Sequence, residues 1–107
     1  MKLVTDWAKF DALQIKLLNH LIDSVCGPLV SAGIHINAAE QLLTGIVFHT
    51  CCVIDGSTVM PTVDGRILPV LTFAKDSSRE EIISSGSTSW LHEYVHGAVE
   101  EYLRTRS

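Results

Sequence analysis

The sequence predicts an α+β fold: a mainly helical single domain with three main helices and a small β-hairpin inserted before the C-terminal helices. Three observations predict it. Apolar residues recur at helical spacing over residues 6–26, 38–53 and 88–104. Between Val59 and Phe73 the period drops towards two, in segments rich in β-branched residues. An Asp64-Gly65 pair sits between those segments, where it signals a tight hairpin turn. A chain of 107 residues suits one globular domain, 1–107.

The first helix is expected to start at Thr5 or Asp6, whose side chains can cap it. Trp7, Phe10, Leu13 or Gln14, Leu17, Leu18, Leu21, Ile22 and Val25 then form its buried stripe. Gly27-Pro28 is expected to end it, because glycine suits the left-handed position after a helix and proline cannot continue one. The next residues, "PLVSAG", read as one further turn ending at Gly33, with Ile34 and Ile36 in an extended link.

Asn37-Ala38-Ala39-Glu40 has the spacing of a capping box. The helix after it is apolar almost all round, so Leu43, Ile46 and Val47 are expected to be deeply buried. Asp55-Gly56 should close it. Pro61 and Pro69 remove ladder donors and assign the hairpin strands to an edge or a small irregular sheet. Ser77-Ser78-Arg79-Glu80 is a second capping-box pattern, for a short helix through Ile83. The last helix should present Leu91, Val95, Ala98 and Tyr102 to the core, with Val99 at the margin.

Composition narrows the function. The formal charge is −4, from 12 acidic and 8 basic side chains, and no Lys/Arg run exists. Binding to nucleic acid through phosphate contacts is therefore not expected. The apolar run Gln41–Ile54 is too short to span a bilayer, and Asp6 interrupts any signal-like segment, so a cytoplasmic location without membrane association is expected. Three cysteines, two of them adjacent, make a poor disulfide framework and point to reduced thiols.

The chemistry-bearing pattern is His92-Glu93-Tyr94-Val95-His96. On a helix, residues at i and i+4 face the same way, so His92 and His96 can offer two imidazoles to one Zn²⁺. Glu93 would then act as general base on the metal-bound water. This string resembles the zincin metallopeptidase motif, and the resemblance implies a zinc-dependent hydrolase with His92 and His96 as ligands and Glu93 as the catalytic base. It covers about ten residues. The variant with a third histidine requires glycine where this chain has Val99. The variant with a later glutamate ligand requires a further helix, for which the eleven residues after His96 are too few. Glu100 is the nearest candidate third ligand, with His49, Cys52 and Asp55 as more distant ones. The competing expectation is that His92 and His96 border the core, that Glu93 and Glu100 are solvated, and that Glu100 pairs with Arg104.

The leading reading is a non-catalytic binding or inhibitor protein of the bacterial immunity-protein or antitoxin type, without cofactor, which masks a protein partner. Residues 55–107 hold eight acidic and five basic side chains, against four and three in residues 1–54. Asp76, Glu80, Glu81, Glu100 and Glu101 are therefore the candidate surface for a basic partner. The zinc hydrolase is the alternative.

Overall fold

The computed structural model describes residues 2–35, 38–58, 61–62, 65–75 and 80–106. In chain order the elements are β1 (Lys2–Thr5), α1 (Trp7–Ser31), α2 (Glu40–Ile54), β2 (Pro61–Thr62), β3 (Gly65–Arg66), β4 (Phe73–Ala74), β5 (Glu81–Ser84) and α3 (Leu91–Arg106). The architecture is the mainly helical α+β fold expected from the periodicity. None of the described helices is long and apolar enough to cross a membrane.

Each helix contributes one row to a shared core. α1 buries Phe10, Gln14, Leu18, Ile22 and Cys26, a strict i, i+4 series. α2 buries Leu43, Val47 and Cys51, and α3 buries Leu91, Val95 and Val99. From Leu18 onwards these residues form one apolar cluster, flanked by Leu17, Leu21, Val25, Leu29 and Leu103. Three expected positions differ. Trp7, in the first turn of α1 and outside the core cluster, is 45% exposed. Ile46 is 41% exposed, because a helix apolar on every side offers no polar face from which to orient it. Val99 is fully buried and Ala98 only partly so, which turns α3 slightly from the expected stripe.

α1 does not stop at Gly27-Pro28. It continues for another turn, with Pro28 inside it. The stop is at Gly33, whose φ of 90° only glycine adopts without strain. There the Ile34 amide donates to the Leu29 carbonyl (3.1 Å) and the Gly33 amide to the Val30 carbonyl (2.9 Å), a Schellman pair. The packing of Leu29 on the core cluster offsets the hydrogen bond that Pro28 cannot donate. At the start of α1 the expected cap is present: Asp6 accepts from the Lys9 amide (3.1 Å).

α2 starts from Ala39, with no side-chain cap. Asn37, the expected capping residue, lies outside the described residues. α2 ends as Asp55-Gly56 predicts, with the Ser57 amide on the Cys52 carbonyl (2.9 Å) and the Gly56 amide on the Val53 carbonyl (3.2 Å).

The strands differ more from expectation. β2 and β3 pair antiparallel, Pro61 with Arg66 and Thr62 with Gly65. The hairpin is therefore where expected, although Asp64 lies outside the described residues and the second strand does not extend through residues 67–72. A second, three-stranded sheet has the order β1-β5-β4. Its central strand, Glu81–Ser84, stands where the sequence suggested the end of a short helix; Ser77, Ser78 and Arg79 lie outside the described residues. The cause is non-local. β1, which no local pattern marks as a strand, pairs in parallel with β5, placing Val4 beside Ile83, while β4 places Phe73 on the other side of Ile83. Two adjacent β-branched residues, Ile82 and Ile83, suit that role. Gly86 then turns the chain at φ 84°, so close to Thr5 that a Cβ there would lie 3.0 Å from its methyl.

Candidate functional site

The H-E-x-x-H segment occupies the first turns of α3, and Asp55 governs its surroundings. Asp55 ends α2 and is 3% exposed. Its carboxylate accepts from three groups of the α3 start. Ser89 Oγ donates to Oδ1. The His92 backbone amide donates to Oδ2 (2.7 Å), and His92 Nδ1 lies 2.5 Å from the same oxygen. The amides at a helix start have no partners within the helix. Here a carboxylate from another helix supplies one, at the end of the helix dipole that favours negative charge.

α1 completes this cap. The Trp90 amide donates to Gln14 Oε1 (3.0 Å), and Gln14 Nε2 donates to Asp11 Oδ1 (2.7 Å). Tyr94, inside the motif, donates its hydroxyl to the same Asp11 oxygen (2.7 Å), and this bond raises the phenol's pKa. The middle of H-E-x-x-H is thus tied to α1 and its first histidine to the end of α2.

The candidate ligands are placed as follows. His92 and His96 both lie against the Phe48 ring, with centroids 6.2 and 5.6 Å away; His49 flanks the same ring at 5.9 Å. His92 is partly buried and His96 exposed. Glu93 Oε1 approaches His92 Nε2 at 3.5 Å, with the Glu93 side chain 57% exposed. Glu100 is exposed two turns beyond His92. Asp55 is the one distant candidate whose side chain reaches a motif histidine, and it does so at Nδ1. Among the described residues, no three His, Cys, Asp or Glu side chains come together as a metal-binding group.

The adjacent thiols of Cys51 and Cys52 are not poised for nucleophilic chemistry. All three are free. Burial, aided by the nearby Asp55 charge, pushes Cys51 up to about 12, and the same causes push Cys52 up. A nucleophilic cysteine needs the opposite shift.

The acidic candidates fall on separate elements. Glu81 opens β5, next to Lys2 in the register, and Glu80 precedes it. Glu100 and Glu101 lie in the second half of α3. Asp76 is outside the described residues. Arg104 hydrogen-bonds Glu101, with NH2 2.5 Å from Oε1, rather than the expected Glu100, and this pairing lowers the Glu101 pKa.

Two features were missed by sequence reasoning. By local pattern Asp55 is a turn residue and a distant candidate ligand; its helix-cap role depends on a contact across 37 positions, which no local pattern encodes. The second is a groove of about 650 Å³ between α1 and α3, lined by Lys16, His20, Asp23, Tyr102 and Arg106 among others. Arg106 stacks on Tyr102 there, 3.6 Å from the ring centroid, and the Tyr102 hydroxyl donates to Asp23 (2.6 Å). The α2 surface is also unusual: Leu42, Ile46 and Val53 are 41–49% exposed on one face.

Comparison with protein-family models, with curated proteins and with solved structures gives no match for this chain.

Proposed function

We propose that this protein is a non-catalytic association module of inhibitor type, like an immunity protein or antitoxin, whose work is to cover a protein partner. The observation that carries this reading is the outer face of α2. From Gln41 to Ile54 the helix has no Asp, Glu, Lys or Arg, and its outward residues Leu42, Ile46 and Val53 are large, apolar and half exposed. Contiguous apolar surface of this kind serves association. Glu80, Glu81, Glu100 and Glu101 add exposed acidic charge, which would accelerate encounter with a basic partner. Three free thiols suit a reducing, cytoplasmic setting. The test is capture from lysate of the source cells on immobilised protein, with Leu42→Asp as comparison. A partner held by the wild type and lost from the variant supports the reading; equal recovery by both counts against the α2 face.

A second reading, the zinc hydrolase, is favoured by one observation. Asp55 holds His92 at Nδ1, which leaves Nε2 as the outward nitrogen, and carboxylates orient metal-binding imidazoles in this way. Elemental analysis of the purified protein separates the two. Stoichiometric zinc lost in His96→Ala would favour the hydrolase.

A further inference from the structure

We infer that the occupant of the α2 face is a second copy of this chain, packed antiparallel about a twofold axis. The inference rests on the reading of α2 as an association surface and names what covers it. At 100° per residue, Leu42, Ile46, His49 and Val53 fall within about 60° of arc, a single stripe. Gly45 and Thr50 flank it. The Thr50 hydroxyl is already spent, donating to the Ile46 carbonyl at 2.8 Å.

This stripe is complementary to itself in reverse. An antiparallel partner whose axis passes between Val47 and Phe48 places Leu42 opposite Val53, Ile46 opposite His49 and Gly45 opposite Thr50. Large residues then meet large ones at the ends, and the branched Thr50 meets the residue without a side chain. A twofold contact demands this match of a surface with its own reverse.

Charge points the same way. The chain carries −4 overall, so two copies repel along most approaches. The stretch from Gln41 to Ile54 has no Asp, Glu, Lys or Arg to repel its equal or to reward a charged partner. Area sets the strength. A specific interface covers about 800 Å² on each partner, more than one helix face offers, so the contact is a weak, reversible one. At the C-terminal end of α2, Leu68 and the Pro69 carbonyl lie against Gly56, one turn beyond Val53, and Ile67, Leu68 and Val70 are 49–60% exposed.

The test is sedimentation velocity of the full chain from about 2 to 500 µM, a range matched to the micromolar affinity of a small interface. A reversible monomer–dimer equilibrium is expected. Ile46→Asp should raise the dimer dissociation constant at least about 100-fold, because it places a charge in the centre of the contact, with the circular dichroism spectrum unchanged. Val30→Asp, on α1, should leave the equilibrium as it is. Orientation is read by disulfide trapping in a Cys52→Ser background. Facing Cα atoms of helices about 8–10 Å apart come within the about 4.4–6.8 Å that a disulfide spans. An equimolar mixture of Leu42→Cys and Val53→Cys chains should therefore cross-link, and neither alone should. A protein that stays monomeric throughout, a dimer that survives Ile46→Asp, or a Leu42→Cys chain that cross-links to itself would each overturn the pairing. A monomer that still captures a partner lost from Leu42→Asp would overturn the pairing alone and leave the association reading standing.

Discussion

At the scale of single residues, Asp55 is the most consequential side chain. It is a buried carboxylate that accepts from the Ser89 hydroxyl, the His92 amide and the His92 ring, and so joins the end of α2 to the start of α3. Truncating Asp55 to Ala leaves those donors without a protein acceptor. The cost of a lost helix cap together with unsatisfied buried donors is about 2–4 kcal/mol. Asp55→Asn keeps one acceptor oxygen but turns an NH₂ group towards a donor, and should cost about half as much. Urea denaturation of the three proteins checks this; equal midpoints would show that the contact contributes nothing. The histidines and glutamate of H-E-x-x-H were legible in the sequence as a motif. The hydrogen bond that fixes His92 was not, because it comes from a residue 37 positions away.

At the scale of elements, the period of apolar residues located every helix, while the ends and faces depended on other forces. α1 shows how packing outweighs a local stop signal. Gly27-Pro28 is a good terminator by propensity, yet Leu29 has a place in the core one position later, and Gly33 provides the left-handed turn that Gly27 was expected to provide. α2 shows the limit of amphipathicity. Leu43 and Val47 were legible as core, but Ile46, on the same apolar helix, points outwards. The two should respond differently to truncation. Leu43→Ala removes a fully buried side chain and leaves a cavity, at a cost of about 2–5 kcal/mol. Ile46→Ala deletes a side chain already 41% exposed and should cost below about 1 kcal/mol in the monomer. Thermal melts of dilute protein measure both; a smaller loss for Leu43→Ala than for Ile46→Ala would mean that α2 presents its other face to the core.

At the scale of the whole molecule, the question is whether helices and sheet unfold as one unit. The three-stranded sheet lay beyond local reading, since β1 and β5 come from opposite ends of the chain and neither has a pattern that reveals the other. Two contacts of α1 tie it to the helices. The Asp6 amide, at the cap of α1, donates to the Ser84 carbonyl (3.0 Å). Phe10, fully buried, meets the edge of Phe73 with ring centroids 5.2 Å apart. One turn later, Gln14 accepts from the Trp90 amide and donates to Asp11, which also holds Tyr94. Gln14 therefore stands where the start of α3 meets the half of α1 that carries the sheet. Gln14→Ala removes a fully buried side chain and strands the Trp90 amide, at a cost of about 2–4 kcal/mol. If the molecule is one cooperative unit, tryptophan fluorescence, which reports Trp7 near the sheet and Trp90 at the start of α3, and far-ultraviolet circular dichroism, which reports the helices, should shift to lower temperature together in this variant. A fluorescence transition that moves ahead of the dichroism would show instead that the sheet and the α1–α3 junction come apart first, with the Leu18–Val99 cluster still folded. In that case the cap at Asp55, and not Gln14, is what holds α3 in place.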